Sequence, residues 1–584
     1  MDVQDYDELT AFLGSWGPFQ KTIFFLLSVI IIPNGYTGLC MVFVGDTPQH
    51  HCRLPDSPNS TFEESKLSMN LSLRIPIEER DGEQVYSRCT KFKTIVGDRS
   101  SDTAREIEPC SDGWVYSTDR YISTIVSEWN LVCDDNWKGP FTVSVLFLGM
   151  LCGSFISGQI SDRYGRKLIL FVSMTVHTAS SLLLVTSQSW EMFATLFFIV
   201  GLAQIARYIV MFILGSELLG KAERIAFGTV GVCLFYAVGY VVLPIFAYFI
   251  RDWRMLLIAL SLPQILYIPL WWFIPESPRW LLSQGRVEEA IVILKAAAKR
   301  NGITTTAEMF ENIGERESIL PDENTHAVTY LDLVRTANIR NITIFAVLVW
   351  MISSVGYFGL SFNTPNMHGD PYINCFISAA TEIASYVTAW ILLHVSPRRI
   401  SLACIVVCSG VMLLLIQVIP SRHYVVTMVM AMVGKFGYAA AFSMVYVFST
   451  ELYPTVVRNM GVAACSTAAM ISTIISPYFA YLGMHDKVLP FILMGSLSIT
   501  AGIFCLVLPE TYGQPLPQTI DQVQPILWSE VTRHKVIIQQ VYLKSQGVWP
   551  FISCTSSRED IATEAEKDKN AENEQTVNCQ MESI

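Results

Sequence analysis

Three ionisable residues stand inside stretches that are otherwise apolar: Arg207, Glu382 and Lys435. A charge in a long apolar helix is costly, so such residues generally serve a function. Two cations and one carboxylate at similar depth suit a solute that is itself charged, most simply a zwitterion whose carboxylate takes a bidentate pair from Arg207. The competing reading is that the three charges satisfy one another, with Lys435 the readiest of them to be structural. Gln204 and Tyr208 lie at i−3 and i+1 from Arg207 and add amide and phenol donors. Trp350 and Tyr357 are seven apart on one helical face, and Tyr438, Phe442 and Tyr446 repeat along the segment that carries Lys435. Rings opposite a carboxylate such as Glu382 suit a quaternary ammonium, which cannot donate hydrogen bonds but is drawn to the ring quadrupole. Aromatic stripes alone are ordinary helix packing; the midplane charges give this one a binding reading.

Nothing in the chain supports an enzyme. Metal-ligand spacings, a nucleophile elbow and a complete nucleotide loop are all missing. The run Gly215 to Ala222 imitates a phosphate loop, yet it ends in Ala222 where a hydroxyl must hold magnesium, and it follows an apolar helix instead of a strand. No cofactor or nucleic-acid partner is expected.

The elements that must position these residues are membrane helices. Half of the 584 residues are hydrophobic and only 16% are charged, which is outside the range of soluble domains. With about 20 apolar residues per crossing, spans are expected to begin near Thr22, Phe141, Leu168, Met192, Gly228, Met255, Asn341, Tyr372, Ser401, Val425, Gly461 and Leu489. The segment before the first span has no basic start and no small-residue cleavage site, so it reads as a retained helix. Arg163, Arg166 and Lys167, Lys221 and Arg224, Arg398 and Arg399, and Arg458 fall in alternate short loops, which makes those loops and both termini cytoplasmic. The net charge of −11 comes largely from extramembrane segments and points to no partner.

Residues 45–140 then form an exported loop carrying Cys52, Cys89, Cys110 and Cys133 together with glycosylation sequons at Asn59 and Asn70. An even cysteine count there suggests two disulfides, with three pairings open. The organisation reads as a first half over 1–274, a cytoplasmic linker over 275–340 with a helix at Val287 to Lys299, a second half over 341–523, and a tail over 524–584. Beyond Ser556 the tail is polar and reads as disordered. Its Glu582-Ser583-Ile584 end is a weak candidate for docking to a carboxylate-binding scaffold.

The halves repeat. Glu217 precedes Arg224 by seven residues, and Glu451 precedes Arg458 by seven; Pro275-Glu276-Ser277 is matched by Pro509-Glu510-Thr511. Both 451 minus 217 and 509 minus 275 are 234. Two pairs at one offset imply duplicated halves in one orientation, the architecture of parallel-repeat carriers that work by alternating access. Glu217 and Arg224, with Glu451 and Arg458, read as gate or scaffold residues. After the second span, Gly158-Gln-Ile-Ser-Asp162-Arg163-Tyr-Gly165-Arg166-Lys167 supplies a tight turn and charges for the seam between halves, joined from the second half by Arg398.

That loop resembles the signature of the major facilitator superfamily. Ser123 to Cys133, Ile274 to Trp280 and Glu451 to Asn459 together resemble the organic cation/anion/zwitterion transporter family. Asp5 to Gly14, Ile32-Pro-Asn34-Gly and Tyr248 to Arg254 are similar to the organic cation/carnitine branch. The resemblance implies twelve transmembrane helices in two six-helix halves and plasma-membrane uptake of organic cations or carnitine-like betaines such as ergothioneine, with sodium coupling for zwitterions. It places Asn34, Gln204, Trp350, Tyr357 and Glu382 on the cavity or ion site, with Asn34 the ion candidate. Two positions depart from that branch: Met470 follows Ser466-Thr-Ala-Ala469 where an Arg is expected, and Arg207 replaces an Asn. The reading is therefore that Arg207 takes over the carboxylate contact, with Tyr446 and Met470 completing the wall. Alternatives are a sodium-independent organic-cation facilitator and a sensor that binds solute without moving it.

Overall fold

Backbone inside a bilayer has no water to bond, so each apolar segment closes its own hydrogen bonds as a helix. The computed structural model describes residues 11–54, 62, 74–80, 83–93, 107–304, 330–367, 369–514 and 517–526. Among these, twelve helices are long and apolar enough to cross a membrane: spans 1 to 12 at Pro18–Val44, Cys133–Tyr164, Arg166–Leu184, Trp190–Leu218, Val232–Phe249, Trp253–Trp272, Ala337–Phe362, Pro371–Val395, Arg398–Val418, Tyr424–Leu452, Arg458–Gly483 and Leu489–Val507. The chain divides into two compact units, Met1–Leu527 and Trp528–Ile584. The second unit, with the expected disordered tail and the terminal Glu582-Ser583-Ile584, lies outside the described residues, as do Asn59 and Asn70.

Spans 1, 6 and 11 are not continuous, span 11 being built from Arg458–Thr473 and Ser476–His485. Span 1 is built from Pro18–Val29, Ile32–Leu39 and Met41–Val44, broken where Pro33 lacks the N–H that would bond the preceding turn. Span 6 is α-helical over Trp253–Ser261 and tightens to a 3-10 helix over Leu262–Trp272, with Pro263 and Pro269 inside it. Span 5 lies hard against the break in span 1: a side chain on Gly35 would strike the Tyr236 carbonyl, and one on Gly239 would strike the Ile32 carbonyl. Glycine here allows backbone-to-backbone packing that any Cβ would prevent.

The 234-residue repeat has a shared structural job. Glu276 accepts from the backbone N–H groups of Arg166 and Lys167, both at 3.0 Å. Glu510 accepts from Arg398 N at 2.8 Å and Arg399 N at 3.2 Å. Each carboxylate thus caps the exposed N-terminus of the third helix of its own half. Above that cap Arg166 pairs with Asp162 and with Glu217 (3.4 Å), and Arg398 pairs with Glu451 (3.3 Å).

On the opposite face, the loop after span 1 folds into three two-stranded antiparallel ribbons: His50–Cys52 with Trp114–Tyr116, Ile77–Arg80 with Glu83–Tyr86, and Thr90–Phe92 with Ile107–Pro109. Of the three pairings open in the sequence, the structure has Cys52–Cys110 and Cys89–Cys133. The helix Ile125–Trp129, started by a Thr124/Ser127 capping box, ties this domain to span 6: Glu128 accepts from Trp253 Nε1 at 2.8 Å and pairs with Arg254. In the linker, the helix Val287–Arg300 ends at Asn301, whose amide bonds Gln20 and the Phe19 N–H, both at 2.9 Å, so that this part of the linker clasps the start of span 1.

Candidate functional site

A cavity of about 1030 Å³ runs between the halves. Asn34, Gln204, Tyr208, Tyr236, Tyr357, Tyr386, Phe442, Tyr446 and Met470 line its inner part; Arg224, Arg398, Glu451 and Arg458 lie at its mouth, on the face that carries the linker. Access from the disulfide face is blocked. Tyr372, at the start of span 8, stacks on Phe43 of span 1 at 5.2 Å, meets Tyr248 edge-on at 5.7 Å and donates to the Arg120 carbonyl at 2.8 Å. Below this plug, Phe147 packs on Phe358 at 5.0 Å and Ser144 donates to the Ile474 carbonyl at 2.7 Å, closing the halves on each other.

The midplane charges occupy two separate places. Lys435 and Glu382 form a buried pair, Nζ to Oε1 3.1 Å, with side chains 2% and 0% exposed. Lys435 also donates to Ser378 (2.6 Å) and Ser361 (2.9 Å) and reaches the Tyr240 hydroxyl at 3.3 Å, which itself meets Ser378 at 3.1 Å. Tyr240 belongs to span 5 and the other partners to the second half, so this cluster also ties the halves together. Lys435 takes Glu382 Oε1, and the Tyr357 hydroxyl lies beside the same carboxylate. The phenols of Tyr236, Tyr357 and Tyr386, all on the cavity wall, lie within the electrostatic reach of Glu382. The arrangement is a carboxylate behind an aromatic screen, able to attract a cation that needs no hydrogen bond.

Arg207 is elsewhere, and the expectation that it meets a solute carboxylate needs correction. It is 1% exposed and stands behind the cavity wall. Its Nε donates to Asn34 Oδ1 at 3.1 Å, Nη2 donates to the same oxygen, and Nη1 donates to Gln264 Oε1 at 3.0 Å. Gln204 Nε2 holds the Asn34 carbonyl at 3.1 Å. No carboxylate among the described residues pairs with Arg207. Trp350 also stands back from the solute space: fully buried, it donates from Nε1 to Ser449 at 2.7 Å and meets Tyr446 edge-on at 4.2 Å, so it buttresses a wall residue. Asp162, Arg163, Arg166 and Glu217 are set apart from the cavity lining. Asp162 pairs within its own half, with Arg166, where a seam contact was expected. Arg224 donates to the carbonyls of Ser216 (2.7 Å) and Leu219 (3.3 Å), and Arg458 to that of Tyr453 (3.2 Å), each closing the end of its own half.

Sequence reasoning passed over span 5. Cys233 and Tyr236 line the cavity and Tyr240 sits at the charge cluster. Their spacing of three and four along an apolar helix was a readable signal. Tyr386 and Trp390, also four apart, line the second half's wall.

Two six-helix halves around a central cavity, with paired charges within the bilayer and one face sealed, define a membrane carrier. The fold is shared with the xylose transporter XylE from E. coli: its partially occluded inward-open form has a TM-score of 0.56 at 16% identity, covering 85% of this chain and all of that one. Its inward-open form gives 0.53 at 13% identity, covering 85% and 98%. Residues 113–522 match the Sugar (and other) transporter family. The chain is 54% identical to human organic cation/carnitine transporter 2 over 89% of this chain and 94% of that protein. It is 51% identical to mouse solute carrier family 22 member 4 (90% and 95%) and 36% identical to a Drosophila melanogaster organic cation transporter protein (88% and 94%). The chain belongs to the organic cation/anion/zwitterion transporter family of the major facilitator superfamily: a multi-pass membrane transporter of small organic solutes and not an enzyme.

Proposed function

We propose that the chain takes up small organic cations and carnitine-like betaines across the plasma membrane by alternating access. The observation that carries this reading is the buried Glu382 carboxylate, paired on one side with Lys435, behind the screen of Tyr236, Tyr357 and Tyr386. A quaternary ammonium would rest against the rings. The carboxylate of a betaine would lie toward Gln204 and Tyr208, in the field of Arg207, which no acid among the described residues pairs. The names of the organic cation/carnitine relatives agree with this substrate class.

The excess of Lys and Arg at the linker face makes that face cytoplasmic, so both termini are inside, the cavity is open inward, and the disulfide-linked domain, with Asn59 and Asn70 as glycan acceptors, is outside. Binding would favour a rocking of the halves that frees Tyr372 from Phe43 and Arg120 while closing the mouth at Arg398 and Glu451.

The test is uptake of labelled carnitine, ergothioneine and tetraethylammonium into cells expressing the chain or Glu382→Gln, normalised to surface protein. Losing the carboxylate should raise KM for tetraethylammonium by about tenfold or more, since each tenfold is about 1.4 kcal/mol. Unchanged KM would refute the site. Saturable binding without uptake in the wild type would favour the sensor alternative.

A further inference from the structure

Arg207 poses a physical problem that the transport cycle does not explain. A guanidinium in the bilayer interior is costly and ordinarily has a carboxylate beside it. Among the described residues its hydrogen-bond partners are neutral: the oxygens of Asn34 and Gln264, with His177 Nδ1 at 3.5 Å. Those oxygens come from two places in the first half where helices are interrupted. Asn34 follows Pro33 at the break in span 1, where Ile31 N and Asn34 N make short-range bonds to Ser28 O (3.0 Å) and Ile31 O (2.8 Å). Gln264 follows Pro263 where span 6 changes from α to 3-10. Asn34 Oδ1 and Gln264 Oε1 converge on the guanidinium, and His177 Nδ1 steadies Gln264 from behind at 2.7 Å.

Interrupted membrane helices presenting converging oxygens are the usual means by which carriers hold a monovalent coupling cation. The positive charge in this case is covalently attached to span 4. We infer that the Arg207 guanidinium is a tethered cation occupying the oxygen set at the span 1 and span 6 breaks, so that this carrier needs no sodium ion and its uptake is not coupled to one. The inference rests on the transport reading above and adds its driving force. Because Arg207 stays with the protein through the cycle, no ion is carried inward on its account. A solute cation is then drawn in by the membrane potential alone, about 2.3 kcal/mol per 100 mV for each charge moved. The sodium coupling expected for zwitterions gives way, at Asn34, to an oxygen already engaged by nitrogen.

The experiment has two arms. In cells, uptake of carnitine and tetraethylammonium is measured with external sodium replaced by N-methylglucamine, for the wild type, Arg207→Lys and Arg207→Asn. In detergent, sodium chloride is titrated onto the purified full chain against N-methylglucamine chloride at constant ionic strength, and the melting temperature is followed. The wild type should keep its uptake within about twofold without sodium and show no saturable sodium shift in melting temperature. Arg207→Lys should remain sodium-indifferent. Arg207→Asn, which leaves an oxygen and an ion-sized space where the guanidinium stood, should acquire sodium-stimulated uptake or a saturable sodium shift. A wild-type uptake that falls about tenfold without sodium, or a saturable sodium shift of the wild-type protein, overturns the inference. Absence of uptake of every solute would count against the transport reading, while the sodium titration would still decide this one.

Discussion

Consider Lys435→Met. At 3.1 Å from Glu382, with an effective dielectric constant near 20, the pair attracts by about 5 kcal/mol, most of which offsets the cost of burying two charges. Removing the lysine alone strands a carboxylate that is 0% exposed and empties the hub joining Ser378, Ser361 and Tyr240. The expected destabilisation is about 3 to 5 kcal/mol, which lowers the melting temperature of the purified protein by roughly 3 to 4 °C, because the unfolding entropy scales with chain length. Lys435→Met with Glu382→Leu removes both charges and should recover most of that loss, while uptake of organic cations stays abolished. The assay is thermal melting followed by fluorescence-detected size exclusion, with uptake measured in parallel. If the single and double variants melt together, or the single melts with the wild type, the two side chains are not energetically coupled and the charge-pair account of the midplane is wrong.

Asp46 should give a pH response. It sits at the end of span 1 with Tyr121 and Arg120 around it, and burial pushes its carboxyl up to about 6. With the outer gate open and Asp46 hydrated, its pKa returns toward about 4. The closed gate therefore binds the proton more tightly, and external acid between those values favours closure. Because Asp46 keeps some contact with solvent, the effect is discounted to about 1 kcal/mol, or roughly a fivefold fall in initial uptake between pH 7.5 and 5. Asp46→Asn should be slow and flat across that range; a wild-type profile with no acid limb would contradict the assignment. The two carboxylate caps offer a test of the repeat: Glu276→Gln and Glu510→Gln should each cost about 1 kcal/mol and add in the double variant, because they serve separate halves. Melting temperatures that move for one and not the other would show that the equivalence is geometric only.

The linear order of residues carried the architecture. Twelve apolar runs can satisfy their backbones in lipid only as helices, and the recurrence of Glu-Arg and Pro-Glu at one offset announced two halves before any contact was known. The helix Val287–Arg300 and its Asn301 stop were likewise written locally. What periodicity measures is depth along a helix and angle around it; it does not say which neighbour fills each angle. Gln204 and Tyr208, four apart, share a stripe that packing turned toward the cavity, whereas Arg207, a hundred degrees round from Tyr208, was turned toward the breaks in spans 1 and 6. Trp350 and Tyr357 share a face, yet Tyr446 and Ser449 of span 10 cover the first and leave the second on the wall. Disulfide pairing, the plug around Tyr372 and the link from Tyr240 to Lys435 were equally beyond the sequence, since each joins residues from distant segments. The sequence by itself determined that charges and rings would stand at the midplane of a two-fold repeated bundle; only the packing of helices decided that one cation would pair with Glu382 and the other be walled in among neutral oxygens, because the facing of each helix is set by the neighbours it meets.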